Sequence, residues 1–119
     1  MKLKCIKTSI TNPDITVTNS DMEGYLVIGE LFLVYGIRFY ENTTYVYIFN
    51  DRHLFEVPIE LFEVIDDKVP DKWRIRIEDG GNVTMWPDLF YKDKFLENFA
   101  EHELKERELF KVLSVEIGK

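Results

Sequence analysis

The hydrophobic pattern of the chain changes near Pro87, and this change limits the folds that the sequence can form. Before Pro87, apolar residues alternate with polar ones in short runs, which is typical of half-buried β-strands. After Pro87, apolar residues recur at the three- and four-residue spacing of an amphipathic helix. The sequence therefore predicts one domain over residues 1–119, with a β-rich part over residues 1–87 and a helical part over residues 88–119.

Turn residues divide the β-rich part into about five to seven short strands. Residues 31–40 and 44–49 are β-rich runs around a short polar connection, which predicts a hairpin. Residues 73–78 alternate clearly, and the glycine pair within residues 79–82 predicts a second hairpin. So many strands in a short chain favour a small antiparallel barrel, because closure of the sheet removes exposed edges.

The helical part contains two apolar stripes, over residues 95–100 and 109–113, separated by a strongly charged stretch. This pattern predicts one long helix or two short helices packed on the barrel. Val115 and Ile117 alternate with Glu116, which leaves a short final strand as an alternative. The expected fold class is therefore α+β and mainly β.

Composition excludes several classes of protein. The chain has 119 residues and 45% hydrophobic residues, enough for one core. Its 22 acidic residues against 15 basic ones give a net charge of −7, which disfavours a general role in nucleic-acid binding. The single cysteine excludes an internal disulfide scaffold. We expect a cytoplasmic location and no membrane association, since no run is apolar enough for a signal peptide or a membrane span.

Most of the negative charge lies in one segment. Residues 51–71 contain seven acidic and two basic residues, a net −5, which leaves −2 for the other 98 residues. The segment is either a solubilising face or a surface that attracts a basic partner. Its acidic residues are Asp51, Glu56, Glu60, Glu63, Asp66, Asp67 and Asp71. With the exception of Asp51, we predict that these residues contact the partner.

Aromatic residues are too numerous for the interior of a small barrel. The chain has 9 Phe, 6 Tyr and 2 Trp, so some rings are expected at the surface. Tyr45 and Tyr47 lie two residues apart on a predicted strand and therefore share one face. We predict that these two tyrosines form an exposed patch and add contacts to the partner-binding surface.

No set of residues predicts catalysis or metal binding. Cys5 is the only thiol, and His53 and His102 are the only imidazoles. A zinc site needs three or four converging ligands, and the three soft ligands show no paired spacing. Gly80 and Gly81 lack the spacing of a phosphate-binding loop. We therefore expect no enzyme activity, no metal and no cofactor.

Arg74 and Arg76 offer an alternative function. They share one strand face, with Trp73 and Trp86 nearby in the predicted hairpin, and arginines with aromatic rings can bind single-stranded nucleic acid. The acidic residues around this strand oppose that interpretation and favour ion pairs on the solvent face.

Two segments resemble a known class of domain. Residues 26–37 resemble the opening of SH3-like barrel domains, and residues 58–65 are similar to a short return strand in small bacterial proteins with SH3-like folds. Some of those proteins occur in toxin–immunity loci. The resemblance covers about residues 25–78 and implies a binding scaffold rather than an enzyme.

The function expected from the sequence is therefore an immunity-type inhibitor that occludes a basic protein such as a bacterial toxin domain. The alternative is an SH3-like module that contacts nucleic acid through Arg74, Arg76 and exposed aromatic rings. A homo-oligomer is compatible with either function.

Overall fold

The computed structural model describes residues 1–11, 16–17, 26–50 and 52–118 of the chain. Asp51, the first acidic residue of the segment 51–71, lies outside the described residues.

Ten strands occur in the described residues, followed by two α-helices. The strands are β1 (Lys2–Cys5), β2 (Ile10–Thr11), β3 (Thr16–Val17), β4 (Leu31–Leu33), β5 (Gly36–Tyr40), β6 (Thr43–Asn50), β7 (His53–Pro58), β8 (Phe62–Asp66), β9 (Arg74–Ile77) and β10 (Val83–Trp86). The helices are α1 (Phe95–Ala100) and α2 (Leu104–Ile117), and single 3₁₀ turns occur at Ile59–Leu61, Asp79–Gly81 and Asp88–Tyr91.

The longer strands form two antiparallel sheets. The order is β7-β6-β5-β10-β9 in the five-stranded sheet and β4-β1-β8 in the three-stranded sheet, while β2 pairs only with β3. The predicted hairpins are confirmed: β5 and β6 pair from Tyr40 opposite Thr43, and β9 and β10 flank the turn at Asp79–Gly81. The fold is therefore α+β and mostly antiparallel, with helices at the C-terminal end.

The described strands form two open sheets and no closed barrel. The apolar run 31–40 does not form one strand, because it is divided between β4 in one sheet and β5 in the other. Val34 and Tyr35 connect the two strands and are both buried. The central strands of the larger sheet are instead covered on both faces, by the smaller sheet on one side and by the C-terminal segment on the other.

Two apolar cores lie on the two faces of the five-stranded sheet. The first core lies between the sheets and consists of Leu3, Cys5, Leu26, Phe32, Val34, Ile37, Val46, Ile48, Val57, Leu61 and Phe62. The second core lies between the five-stranded sheet and the helices and is built on Tyr35, Phe90, Phe95, Phe99, Phe110 and Leu113. The molecule thus has three layers, with the five-stranded sheet in the middle.

Helix α2 continues through Ile117, so the alternative of a final strand at Val115 and Ile117 is wrong. Phe110 and Leu113 are buried and Ile117 packs against the same core, at the spacing of one helical face. Three alternating residues are too few to separate a strand from a helix, and packing against the second core decides between them. No helix in the described ranges is long and apolar enough to span a membrane.

Gly36 allows β5 to approach the aromatic side chains of the second core. A Cβ atom at this position would lie 2.8 Å from Cδ1 of Trp86 and 3.3 Å from Cδ2 of Tyr47. We therefore expect Gly36→Ala to lower the free energy of unfolding by about 1–3 kcal/mol, as overpacking does. Urea denaturation measures this change.

The Gly36→Ala cost should be smaller in a Trp86→Leu background, because the shorter side chain removes the nearest contact. An alanine variant as stable as the parent chain, or a cost unchanged in that background, would contradict this account of the packing.

Candidate protein-binding site

Glu56 lies half-buried on β7 and is already paired within the chain. It forms an ion pair with Arg38 of β5, whose Nε donates to Oε1 of Glu56 at 3.0 Å. Nη1 of Arg38 donates to Oδ1 of Asn82 at 2.9 Å, and the rings of Tyr45 and Tyr40 lie 4.8 and 5.4 Å from its guanidinium carbon. The carboxylate of Glu56 is therefore neutralised internally, and the predicted role of Glu56 in contacting a partner loses support.

Tyr45 and Tyr47 share a face of β6, as predicted, but neither is an exposed residue. The ring of Tyr47 packs against Trp86 and Phe90, with ring centroids 5.6 and 5.8 Å apart. Burial raises the pKa of Tyr47 well above its usual value, and its hydrogen bond with Glu56 raises it further. The expected exposed tyrosine patch is wrong, because Tyr47 packs on the second core and Tyr45 packs beside Arg38.

Two further acidic residues lie opposite lysines in the three-stranded sheet. Glu63 pairs with Lys4 and Asp66 pairs with Lys2 in the ladder between β8 and β1. The backbone N–H of Lys68 donates to Oδ1 of Asp66 at 3.0 Å and lowers the pKa of that carboxyl group, with the positive charges of the N-terminus, Lys68 and Lys2 adding to the effect. Basic residues of this chain therefore oppose both carboxylates.

Three further predicted acidic contacts are exposed at the surface, as Glu63 is. Glu60 lies in the 3₁₀ turn before β8, while Asp67 and Asp71 lie in the connection between β8 and β9. The acidic residues that the structure describes in this segment are thus distributed over both sheets and their connections. Asp71 also lines a groove, which makes it the strongest candidate of the three.

An open groove of about 590 Å³ lies between α2 and the segments 70–73 and 87–89. Its apolar side chains are Trp73 and Leu89 from the two segments and Leu109, Val112, Leu113 and Ile117 from α2. Val112 is 63% exposed, so the helix presents an apolar wall that no described residue covers fully. The groove has the dimensions and lining of a binding site for an apolar side chain or a short segment.

Charged groups at the groove are mostly acidic. Asp71, Asp88 and Glu116 line it together with one basic residue, Lys72, and all four are exposed. Oδ1 of Asp88 lies 2.5 Å from Nε of Arg74, an ion pair in which both side chains are more than 60% exposed. This arrangement suits a ligand that is apolar and positively charged.

Arg74 and Arg76 are both engaged within the chain. Arg74 pairs with Asp88, and the guanidinium carbon of Arg76 lies 4.2 Å from the centre of the Tyr91 ring. The hydroxyl of Tyr91 donates to the carbonyl of Arg74 at 3.0 Å. These contacts use the groups that the nucleic-acid alternative assigned to a bound strand.

Cys5, His53 and His102 do not converge on one site in the described part of the chain. Cys5 is fully buried in the first core, and burial raises the pKa of its thiol. The rings of His53 and His102 lie 6.0 Å apart, which their separation in sequence did not indicate, and the charge of Arg107 lowers the pKa of His102. Within residues 1–11, 16–17, 26–50 and 52–118, no three His, Cys, Asp or Glu side chains converge as metal ligands do.

Sequence reasoning missed both the Arg38 network and the groove. Arg38 carried a signal, because it is a charged residue inside the apolar run 31–40, and such a charge usually needs a partner. Glu116 and Val112 carried none, because the groove forms only when α2 packs beside the segments 70–73 and 87–89.

No family model, no curated protein and no solved structure matches this chain. The resemblance to SH3-like proteins therefore remains an expectation.

The pair between Arg38 and Glu56 should contribute to stability, because each side chain is only 25% exposed. We expect Arg38→Met or Glu56→Gln to lower the free energy of unfolding by about 1–3 kcal/mol, since each leaves a half-buried charge without its partner. The double variant should cost less than the sum of the single changes. Thermal and urea denaturation measure these values.

Arg74→Met is the matched control, because it breaks a pair that is largely exposed. Its cost should stay below about 1 kcal/mol. Equal costs at the two arginines, or strictly additive costs at Arg38 and Glu56, would contradict the structural role of the half-buried pair.

Proposed function

We propose that this protein is a non-enzymatic protein-binding domain, and that its groove beside α2 binds a basic, apolar segment of a partner protein. The observation that carries the proposal is the combination of apolar walls and acidic charged groups in one open groove. A protein segment with both apolar and basic side chains satisfies both parts of this surface.

The apolar part supplies the binding energy. Trp73 and Val112 flank the groove, and burial of apolar area contributes about 25 cal/mol per Å². Tryptophan is also enriched among the residues that dominate binding at protein interfaces. A leucine-sized side chain of the partner, placed between Trp73 and Val112, would bury surface on both proteins.

The acidic part selects the sign of the partner's charge. Asp71 and Glu116 line the groove, and the whole chain carries a net charge of −7. Such a field accelerates the encounter with a basic protein and disfavours an acidic one. Lysine or arginine beside the apolar anchor of the partner would complete the contact at the edge of the groove.

A toxin inhibitor is the specific form of this function that the SH3-like resemblance suggests. It would act by occlusion, covering a basic surface of the toxin. Nucleic-acid binding is less well supported, because Arg74 and Arg76 have partners within the chain and the net charge is negative.

The site can be tested with a synthetic amphipathic peptide of leucine and lysine, and with a second peptide in which glutamate replaces lysine. We expect the lysine peptide to shift the backbone amide resonances of residues 71–73, 88–89 and 109–117, and the glutamate peptide to shift none of them. Shifts spread over the whole surface, or equal binding of both peptides, would overturn the assignment of the groove.

Charge reversal separates a specific site from general attraction. Asp71→Lys combined with Glu116→Lys should weaken lysine-peptide binding at least about tenfold, because it replaces attraction with repulsion inside the groove. Glu41→Lys combined with Glu97→Lys changes the net charge equally at exposed positions outside the groove and should have a small effect. Equal losses in the two double variants would show that net charge alone attracts the peptide.

A further inference from the structure

Strand β9 is an edge of the five-stranded sheet, and all four of its residues are exposed. It pairs with β10 on one side, and no described residue pairs with its other side. The opposite edge of the sheet is β7, which ends at Pro58, a residue that cannot donate to a neighbouring strand. An edge strand without such protection is a ready template for another strand.

The apolar face of β9 is also uncovered. Ile75 is 67% exposed and Ile77 is 85% exposed. Both lie on the same face of the sheet as the first core, which covers that face only at the central strands. Ile77 lies opposite Val83, which in turn lies opposite Phe39, and Phe39 is 40% exposed. Together these side chains form an apolar surface that reaches the free edge of the sheet.

The ladder shows which peptide groups face outward. The N–H of Glu78 donates to the carbonyl of Asn82 at 2.7 Å, toward β10. Because peptide groups in an antiparallel strand alternate in direction, Arg76 also faces β10, whereas the N–H and C=O groups of Ile75 and Ile77 face the open side. The free edge thus offers hydrogen-bonding groups at the same two residues that offer exposed apolar side chains.

We propose that β9 pairs with β9 of a second copy of this chain, antiparallel and centred on Ile77, to form a continuous ten-stranded sheet. In this register Ile77 faces Ile77 of the copy. Arg76 of each copy lies opposite Glu78 of the other, which gives two opposite-charge pairs. Backbone dihedral angles at Glu78 are extended, so the strand conformation continues through this residue.

Charge complementarity favours this register over its neighbours. A pairing centred on Ile75 would place Arg74 opposite Arg76 of the copy twice. A pairing centred on Arg76 would also give two opposite-charge pairs, between Arg74 and Glu78 of the copy, but it would place Arg76 opposite itself, which the proposed register avoids. Like charges directly opposite each other destabilise a sheet, whereas opposite charges contribute roughly 0.2–1 kcal/mol per pair. The sequence of β9 and Glu78 is therefore self-complementary in the register that we propose.

Sedimentation equilibrium tests the assembly. Since the strand contact is small, we expect a weak dimer that forms within a range of about 10–500 µM. Ile77→Lys should give a monomer throughout, while Val112→Lys, an equal change at an exposed apolar residue of the groove, should leave the dimer intact. Circular dichroism confirms that both variants are folded.

A charge swap tests the register. Arg76→Glu and Glu78→Lys should each weaken the dimer several-fold, and the double variant should restore it, because the two opposite-charge pairs return with their signs exchanged. Ile77→Cys should form a disulfide between copies under mild oxidation, because residue 77 faces residue 77 of the copy. Ile75→Cys should not, because the two residues 75 lie far apart along the paired strands.

A monomer at every concentration would overturn the proposal. The edge of β9 would then be available for a strand of a different protein. A dimer that Ile77→Lys does not affect would also overturn it, since the contact would then lie elsewhere. Failure of the charge-swap rescue would overturn the register.

Discussion

The whole architecture depends on strand β6, whose side chains are apolar on both faces. Val46 and Ile48 point into the first core, while Tyr47 and Phe49 pack on the side of the helices. A strand of this kind cannot lie at the surface of a two-layer structure, because one of its apolar faces would meet water. In this chain, the three-stranded sheet covers one apolar face of β6 and the helical segment covers the other.

Local patterns in the sequence predicted the elements better than their arrangement. Turn chemistry and alternation located the hairpins around residues 41–42 and 79–82, and the change of period near Pro87 located the helical part. The barrel was not predictable in this way, since a period of two shows that side chains alternate but does not show what covers each face. The division at Val34 and Tyr35 depends on two cores that exist only in the folded chain.

For the same reason, the sequence did not show which carboxylates of the acidic segment are paired within the chain. A count of charges along residues 51–71 includes Arg52 and Lys68, but it omits Lys2 and Lys4, which sheet pairing brings opposite two of the carboxylates. It also omits Arg38, which forms an ion pair with a third carboxylate across β6. Asp71 is still a candidate for binding a partner, because it lies beside apolar side chains of a helix that is distant in sequence. Charge density along a sequence thus becomes informative about binding only after the cross-strand partners are known.

Since both cores share β6, the helical segment is not an appendage on a self-sufficient β-domain. Loss of α1 and α2 would bare Phe49, Trp86 and their aromatic neighbours to water, and the remaining sheet would become prone to aggregation. Loss of the three-stranded sheet would do the same to Val46 and Ile48. We therefore expect the two halves to melt together in one cooperative transition, and the strands to stay incompletely folded during synthesis until α2 has left the ribosome.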